Sequence, residues 1–160
     1  MLRYAQIRSL DVSDGLDVGV ALFVQGCNRH CYNCFNQETW DFDGGFEFTL
    51  DIEQKFISLV SRTFIHRVSI LGGEPLAKEN RNDVINLIAK IKSNYPDKNI
   101  WLYTGYTIEE LLSDNVDLHN VDYLVDGEYV DSLRDLTLEF RGSSNQHIWK
   151  NVNGMWELFR

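Results

Sequence analysis

Apolar residues in this chain fall into two kinds of pattern. Short unbroken runs, such as Val20-Ala21-Leu22-Phe23-Val24 and Ile100-Trp101-Leu102-Tyr103, alternate with stretches where apolar residues recur every third or fourth position. The runs read as buried strands over 19–25, 66–71, 100–103 and 121–125. The periodic stretches read as helices. One begins near Asp51, with Gln54 as capping-box partner and Ile52, Phe56, Leu59 and Val60 on its apolar face. A second covers about 82–94, with Val84, Leu87, Ile88 and Ile91 on one side and Pro96 closing it. Thr107 and Glu110 form a capping box that opens a short third helix.

The flanks carry weaker patterns. Residues 2–10 read as a first or edge strand, 11–17 as a polar turn, and 40–45 as an acidic, glycine-containing loop. Leu136, Leu138 and Phe140 alternate with Thr137 and Glu139, which predicts a half-exposed strand. The final residues, around Ile148-Trp149 and Met155-Trp156, read as late strands or a packing tail. Strands alternating with helices from 19 to 125 predict an α/β fold of mostly parallel strands joined by right-handed helical crossovers. Four to six strands are too few to close an eight-stranded barrel. The expected form is an open sheet, a partial (β/α) barrel, in a single domain over 1–160.

Composition narrows the class. Apolar residues make up 44% and aromatics 12%, as in an ordinary globular protein. The longest apolar run, about five residues, falls far short of the roughly 20 that a membrane span needs. The N-terminus has no apolar signal core, so the expected location is the cytoplasm. The formal charge of −9, with no basic stripe, argues against direct nucleic-acid binding.

All three cysteines lie in one stretch, Cys27, Cys31 and Cys34, at the end of the first predicted core strand. Such crowding suits metal ligation in a reducing compartment better than disulfides. Three thiolates on one loop fit an iron–sulfur cubane with one iron left open. Zinc is the rival, with His30, His66, His119 or His147 as fourth ligand; three free buried thiols are another. The polar Asn28, Arg29, His30 and Asn33 between the cysteines are unlike a core segment. Arg29 and His30 read either as tuning the cluster or as solvated side chains. A second stretch, Gly72-Gly73-Glu74-Pro75, follows the next strand. It therefore falls on the same carboxyl edge of a parallel sheet, where ligands bind. By itself it is a turn. Thr104 and Asp126 end strands on that edge, which gives each two readings: a ligand or cation contact, or an ordinary loop cap.

The cysteine spacing resembles the signature of the radical S-adenosylmethionine enzymes, and Gly72-Gly73-Glu74-Pro75 is similar to their second motif. The longer runs 22–27, 34–36 with Thr39-Trp40, 71–76, 103–106, 124–127 and Arg141-Gly142-Ser143-Ser144-Asn145-Gln146 resemble the activating proteins of the anaerobic ribonucleoside-triphosphate reductase, over about 4–150. The resemblance implies a partial barrel of the radical S-adenosylmethionine type. It implies that Cys27, Cys31 and Cys34 hold a 4Fe–4S cluster. It places S-adenosylmethionine against Gly72, Gly73 and Glu74 through backbone groups, and its adenine near Asn33, Cys34 and Phe35. The implied activity is hydrogen abstraction from a glycine of the reductase large subunit, with a flavodoxin-like one-electron donor. No acid–base or nucleophilic side chain is then needed. Two departures stand out: Asn33 rather than an aromatic precedes the third cysteine, as in that subfamily, and Asp14-Gly15-Leu16-Asp17 replaces the family's glycine–proline turn. A small-molecule radical enzyme and a zinc or cluster interaction module remain as other readings.

Overall fold

Period-two alternation decides what each central strand faces. In β2 (Gly19–Val24) every residue is buried. Val20, Leu22 and Val24 join one large apolar cluster, while Ala21 and Phe23 join a smaller one on the opposite face. The computed structural model describes residues 1–160. It continues this arrangement through β4 (Arg67–Gly72), β5 (Asn99–Tyr103) and β6 (Tyr123–Asp126). Val68, Ile70, Ile100, Leu102 and Leu124 face the first cluster, with all the helix core residues. Leu71, Trp101, Tyr123 and Val125 face the other side. The helices thus cover one face, and the other is left to form a cavity.

Those four strands pair in parallel, in the order β2-β4-β5-β6. The rest of the sheet is antiparallel. On one flank lie β1 (Arg3–Asp11) and the two-residue β3 (Phe46–Glu47); on the other lies a hairpin of β7 (His147–Val152) and β8 (Met155–Leu158). The open sheet has eight strands, and the expectation of mostly parallel strands holds only for its centre. The flanking strands reverse because their connections carry no crossover helix: antiparallel neighbours need only a turn. The β7–β8 turn is Asn153-Gly154, both at positive φ (54° and 89°), the conformation a tight hairpin requires.

Three helices make the crossovers. The first, α1 (Leu50–Val60), is capped by Thr49, whose hydroxyl accepts from the Ile52 amide. The expected Asp51–Gln54 capping box does not form; Asp51 sits in the first turn instead. Thr49 takes the cap because its own φ and ψ are extended, so the helix begins one residue after it. The second, α2 (Lys78–Asn94), starts earlier than the apolar periodicity predicted, since its first turn follows directly from the turn after Pro75. Its predicted face, Val84, Leu87, Ile88 and Ile91, is buried, and each such side chain contributes about 1.5–3 kcal/mol. In α3 (Ile108–Ser113) the Thr107–Glu110 capping box is present as expected.

The strand predicted from Leu136, Leu138 and Phe140 is absent. Residues 135–140 run as turns, Phe140 has φ 64°, and Leu136 is 77% exposed. The alternation there places leucines along a cavity mouth and pairs with no neighbouring strand.

The polar turn 11–17 folds inward over the cavity face. Arg67, only 1% exposed, reaches it from the start of β4. Its guanidinium pairs with Asp11 Oδ2 at 2.9 Å and donates to the carbonyls of Asp11 (2.7 Å) and Leu16 (3.0 Å). A side chain on Gly15 would strike Arg67 Cδ at 2.4 Å, so this turn needs glycine for close approach. Burial acts upward on Asp11, but its hydrogen bond with Asp14 and the charge of Arg67 hold it below the usual value. Asp14 is pushed from 3.8 to about 7, by burial first and then by the hydrogen bond and charge of Asp11. The folded state therefore keeps a proton on Asp14 that the unfolded chain releases above about pH 4. Stability should fall as pH rises from 4 to 7 and then level. Thermal midpoints of the apoprotein should show this decline between pH 4 and 7, and Asp14→Asn should flatten it. An unchanged slope in the variant would place the titration elsewhere.

Candidate functional site

The cysteine loop is closed at its base by its own backbone. The Gly26 amide donates to Thr39 O (2.7 Å) and the Cys27 amide to Trp40 O (3.0 Å), so residues 28–38 project as a loop beyond the end of β2. His30, whose φ is 49°, stacks on Trp40 with ring centroids 4.4 Å apart. Gly72–Pro75 lies directly against that base. The Gly73 amide donates to Val24 O (2.9 Å) and the Glu74 amide to Gly26 O (2.7 Å). A Cβ on Gly73 would come within 2.4 Å of Gly26 O, so glycine is what lets the two backbones meet. Asn80 ties them further, its amide donating to Gln25 O (3.2 Å) and Glu74 O (3.1 Å).

Cys27, Cys31 and Cys34 line one cavity of about 610 Å³ together with Gly72, Gly73 and Tyr103. That volume suits a cofactor-sized ligand. The thiols do not converge with each other or with any histidine tightly enough to chelate one ion. A cubane presents its irons at separate corners and takes a wider triangle of thiolates. Of the histidines named as fourth zinc ligands, His66 and His119 precede β4 and β6, at the edge away from the cysteines. His147 lies beside Asp126, 3.7 Å away.

One of the sulfurs receives an amide hydrogen: the Asn36 amide donates to Cys34 Sγ at 3.4 Å. Such an N–H···S contact suits cluster-bound sulfur. As free thiols they are not activated: burial pushes Cys27 and Cys31 above the ordinary thiol value. The donor set therefore fits a cluster held by three thiolates.

Glu74 does not present its carboxylate to the cavity as a free ligand. It is 1% exposed and spent inside the protein. Oε1 accepts from the Gly105 amide (2.6 Å), and Oε2 from the Thr104 hydroxyl (2.7 Å) and the Leu76 amide (3.0 Å). Burial raises its pKa, opposed by these hydrogen bonds and by Arg29. The side chain is a strap between the ends of β4 and β5. Thr104 is accounted for by that strap. Asp126 is likewise a cap: Oδ2 accepts from the Ile108 amide at 2.9 Å, at the start of α3.

Arg29 has a larger part than its sequence context implied. It lies over the Tyr106 ring at 4.3 Å, near Glu74 (3.8 Å), and pairs with Glu128 at 3.2 Å. The segment 127–146 holds the cysteine loop from the other side. Asn33 Nδ2 donates to Asp131 (3.3 Å), Phe35 packs on Tyr129 with centroids 4.9 Å apart, and a Cβ on Gly142 would meet Phe35 at 2.6 Å. The Arg141–Gln146 run organises this segment. Gln146 Oε1 accepts from the amides of Gly142 (2.8 Å) and Ser143 (3.0 Å), and its Nε2 donates to Gly127 O (3.0 Å). Sequence reasoning missed Asn80 and Arg67. Only an alignment of the three-dimensional neighbours exposes them, since each acts on a residue far away in the chain.

A family model described as a 4Fe-4S single cluster domain matches residues 13–149. The chain is 36% identical to the anaerobic ribonucleoside-triphosphate reductase-activating protein of Enterobacteria phage T4, covering 98% of this chain and 99% of the phage protein. It is 41% identical to the protein of that name from Salmonella typhimurium and 39% identical to the one from Escherichia coli, covering in each case 92% of this chain and 97% of the relative.

Proposed function

The chain belongs to the family of anaerobic ribonucleoside-triphosphate reductase-activating proteins, and on that premise we propose that it activates the large subunit of such a reductase by forming a glycyl radical on it. When bound, the 4Fe–4S cluster and S-adenosylmethionine supply a 5′-deoxyadenosyl radical, formed by one-electron cleavage of the sulfonium S–C5′ bond, that takes a hydrogen atom from a glycine Cα of the partner.

Cys27, Cys31 and Cys34 hold the cluster in this reading. The observation that carries it is the backbone union of the cysteine loop with Gly72–Pro75 around one cavity. The amides of Gly73 and Glu74 are used within the protein, while the Gly73 carbonyl accepts no hydrogen bond from the chain. What the turn offers a ligand is therefore carbonyl oxygen, the partner that the methionyl ammonium needs. Gly72 and Gly73 steady that end of the cofactor, and Glu74, whose amide and carbonyl are bonded within the protein, serves by holding the turn in place. Asn33, Cys34 and Phe35 receive the adenine, with Phe35 held in place by Tyr129 and Gly142. The reading takes 1–160 as one radical S-adenosylmethionine domain, a partial (β/α) barrel whose helix-free face admits a segment of the partner. A flavodoxin-like protein in the cytoplasm is the electron donor. No helix is long and apolar enough to cross a membrane.

The test is anaerobic. Reconstituted protein, reduced and mixed with S-adenosylmethionine and the reductase large subunit, should give a glycyl-radical doublet by electron paramagnetic resonance. Release of 5′-deoxyadenosine without a doublet would point to another substrate, and no cleavage at all would overturn the reading.

A further inference from the structure

The cavity on the helix-free face has an apolar patch within a largely polar lining. Phe23, Leu71, Val125 and Phe140 line the cavity there, and among them lies the Tyr103 hydroxyl. That oxygen is buried and has no hydrogen-bond partner. A buried orphan donor of this kind costs stability unless a ligand satisfies it. Beside it on the 11–17 turn is Asp14, whose Oδ2 lies 3.4 Å from Arg8. Burial first, and then the charge of Asp14, push the Tyr103 phenol well above its ordinary value, so it stays a hydroxyl and a donor.

The chemistry of this pair selects its occupant. A phenol O–H wants an acceptor, and the charges around it are already matched, Arg8 pairing with Asp11 and Asp14 and Arg67 with Asp11, so nothing there calls for a charged occupant. A neutral peptide amide satisfies both groups, its carbonyl accepting from Tyr103 and its N–H donating to Asp14. The cavity itself opens to solvent. Leu136 lines the same cavity while 77% exposed, so the mouth there opens to solvent with an apolar lip. The cysteines and Gly73 line the same cavity, which brings the place within the reacting space.

We propose that Tyr103, with Asp14 beside it, holds one backbone amide of the partner's glycine segment and so sets that glycine's Cα in the path of hydrogen abstraction. This rests on the glycyl-radical reading above and names the residue that couples cofactor cleavage to radical transfer. A neutral hydrogen bond of this kind corresponds to about a 3- to 10-fold effect.

The experiment compares wild type with Tyr103→Phe, which keeps the ring. Three quantities are read: the thermal midpoint of the apoprotein, the rate of 5′-deoxyadenosine release, and the ratio of glycyl radical formed to 5′-deoxyadenosine released with the reductase large subunit. The midpoint should hold or rise, because the hydroxyl makes no bond to lose. The ratio should fall about 3- to 10-fold, beyond any change in the release rate. An unchanged ratio overturns the proposal. So does a release rate that falls in parallel, which would assign Tyr103 to the cofactor. If wild type itself gives cleavage but no doublet, the functional reading fails and not the role of Tyr103 within it.

Discussion

Cys31→Ala protein, reconstituted anaerobically with iron and sulfide, is expected to remain colourless and to release no measurable 5′-deoxyadenosine. Cys31 and Cys34 lie on the partly exposed part of the loop and carry little of the fold. Cys27 is buried at the base, so its replacement would mix a folding defect with a ligand defect. With Cys31 gone, no histidine stands grouped with the remaining thiols to replace it. Two thiolates do not retain a cubane that ordinarily takes four ligands. The loss should exceed about a thousandfold, over 4 kcal/mol in barrier height. Thermal stability of the apoprotein should move by no more than about 0.5 kcal/mol, as for a substitution away from the core. Iron content, the visible spectrum and cleavage assays check this together. Retention of full iron and activity would mean that a different residue completes the site.

Glu74→Ala is expected to produce the largest loss of stability. The carboxylate accepts from the Gly105 amide, the Thr104 hydroxyl and the Leu76 amide at 2.6, 2.7 and 3.0 Å. Its removal leaves those donors buried without acceptors and leaves Arg29 without one of its two acidic neighbours. Orphaned donors cost about 1–3 kcal/mol each, and losing one partner of a buried charged pair costs about 3–5 kcal/mol. Since the terms overlap, we expect about 3–5 kcal/mol in urea unfolding, with the ends of β4 and β5 no longer tied. Glu74→Gln should recover part of this. Its carbonyl can still accept on one side, but its amide meets a donor on the other. If Glu74→Gln were as damaging as Glu74→Ala, shape and not acceptor chemistry would be the requirement. A loss below about 1 kcal/mol for Glu74→Ala would show that the strap is dispensable.

These two residues mark where the sequence could be read and where it could not. Cys31 announces itself as a candidate ligand through spacing alone, because ligands of one cluster must be near one another and loop residues are near one another by covalent connection. Glu74 announces itself only as part of a turn. Its side chain turns inward because Thr104 and Gly105, brought alongside by the β4–β5 ladder, present donors there. The core strands and the buried face of α2 were legible for a similar reason to Cys31. Period 2.0 and period 3.6 follow from local backbone geometry. The Thr107–Glu110 box was legible because both partners lie within one helical turn.

Local pattern also misled. Leu136, Leu138 and Phe140 alternate as a strand would, but no neighbouring strand offers a ladder, and the segment turns on Asp135, whose carboxylate accepts from the Thr137 amide and hydroxyl and whose carbonyl accepts from the Leu138 amide. The β7–β8 hairpin carried an Asn153-Gly154 signal that is strong at the level of sequence, yet the segment was read only as late strands or a packing tail, without its turn.

The sequence by itself determined the candidate ligands, the parallel strands that deliver them to one edge, and the resemblance to the family. Tertiary structure alone decided that helices cover a single face. It also decided that Arg67 draws the 11–17 turn onto the other face, and that Tyr103 is left there with a hydroxyl and no partner. The physical reason is range. Covalent neighbours and helical turns fix chemistry within a few residues, while a buried charge pair or an orphan donor is defined by what distant strands place beside it.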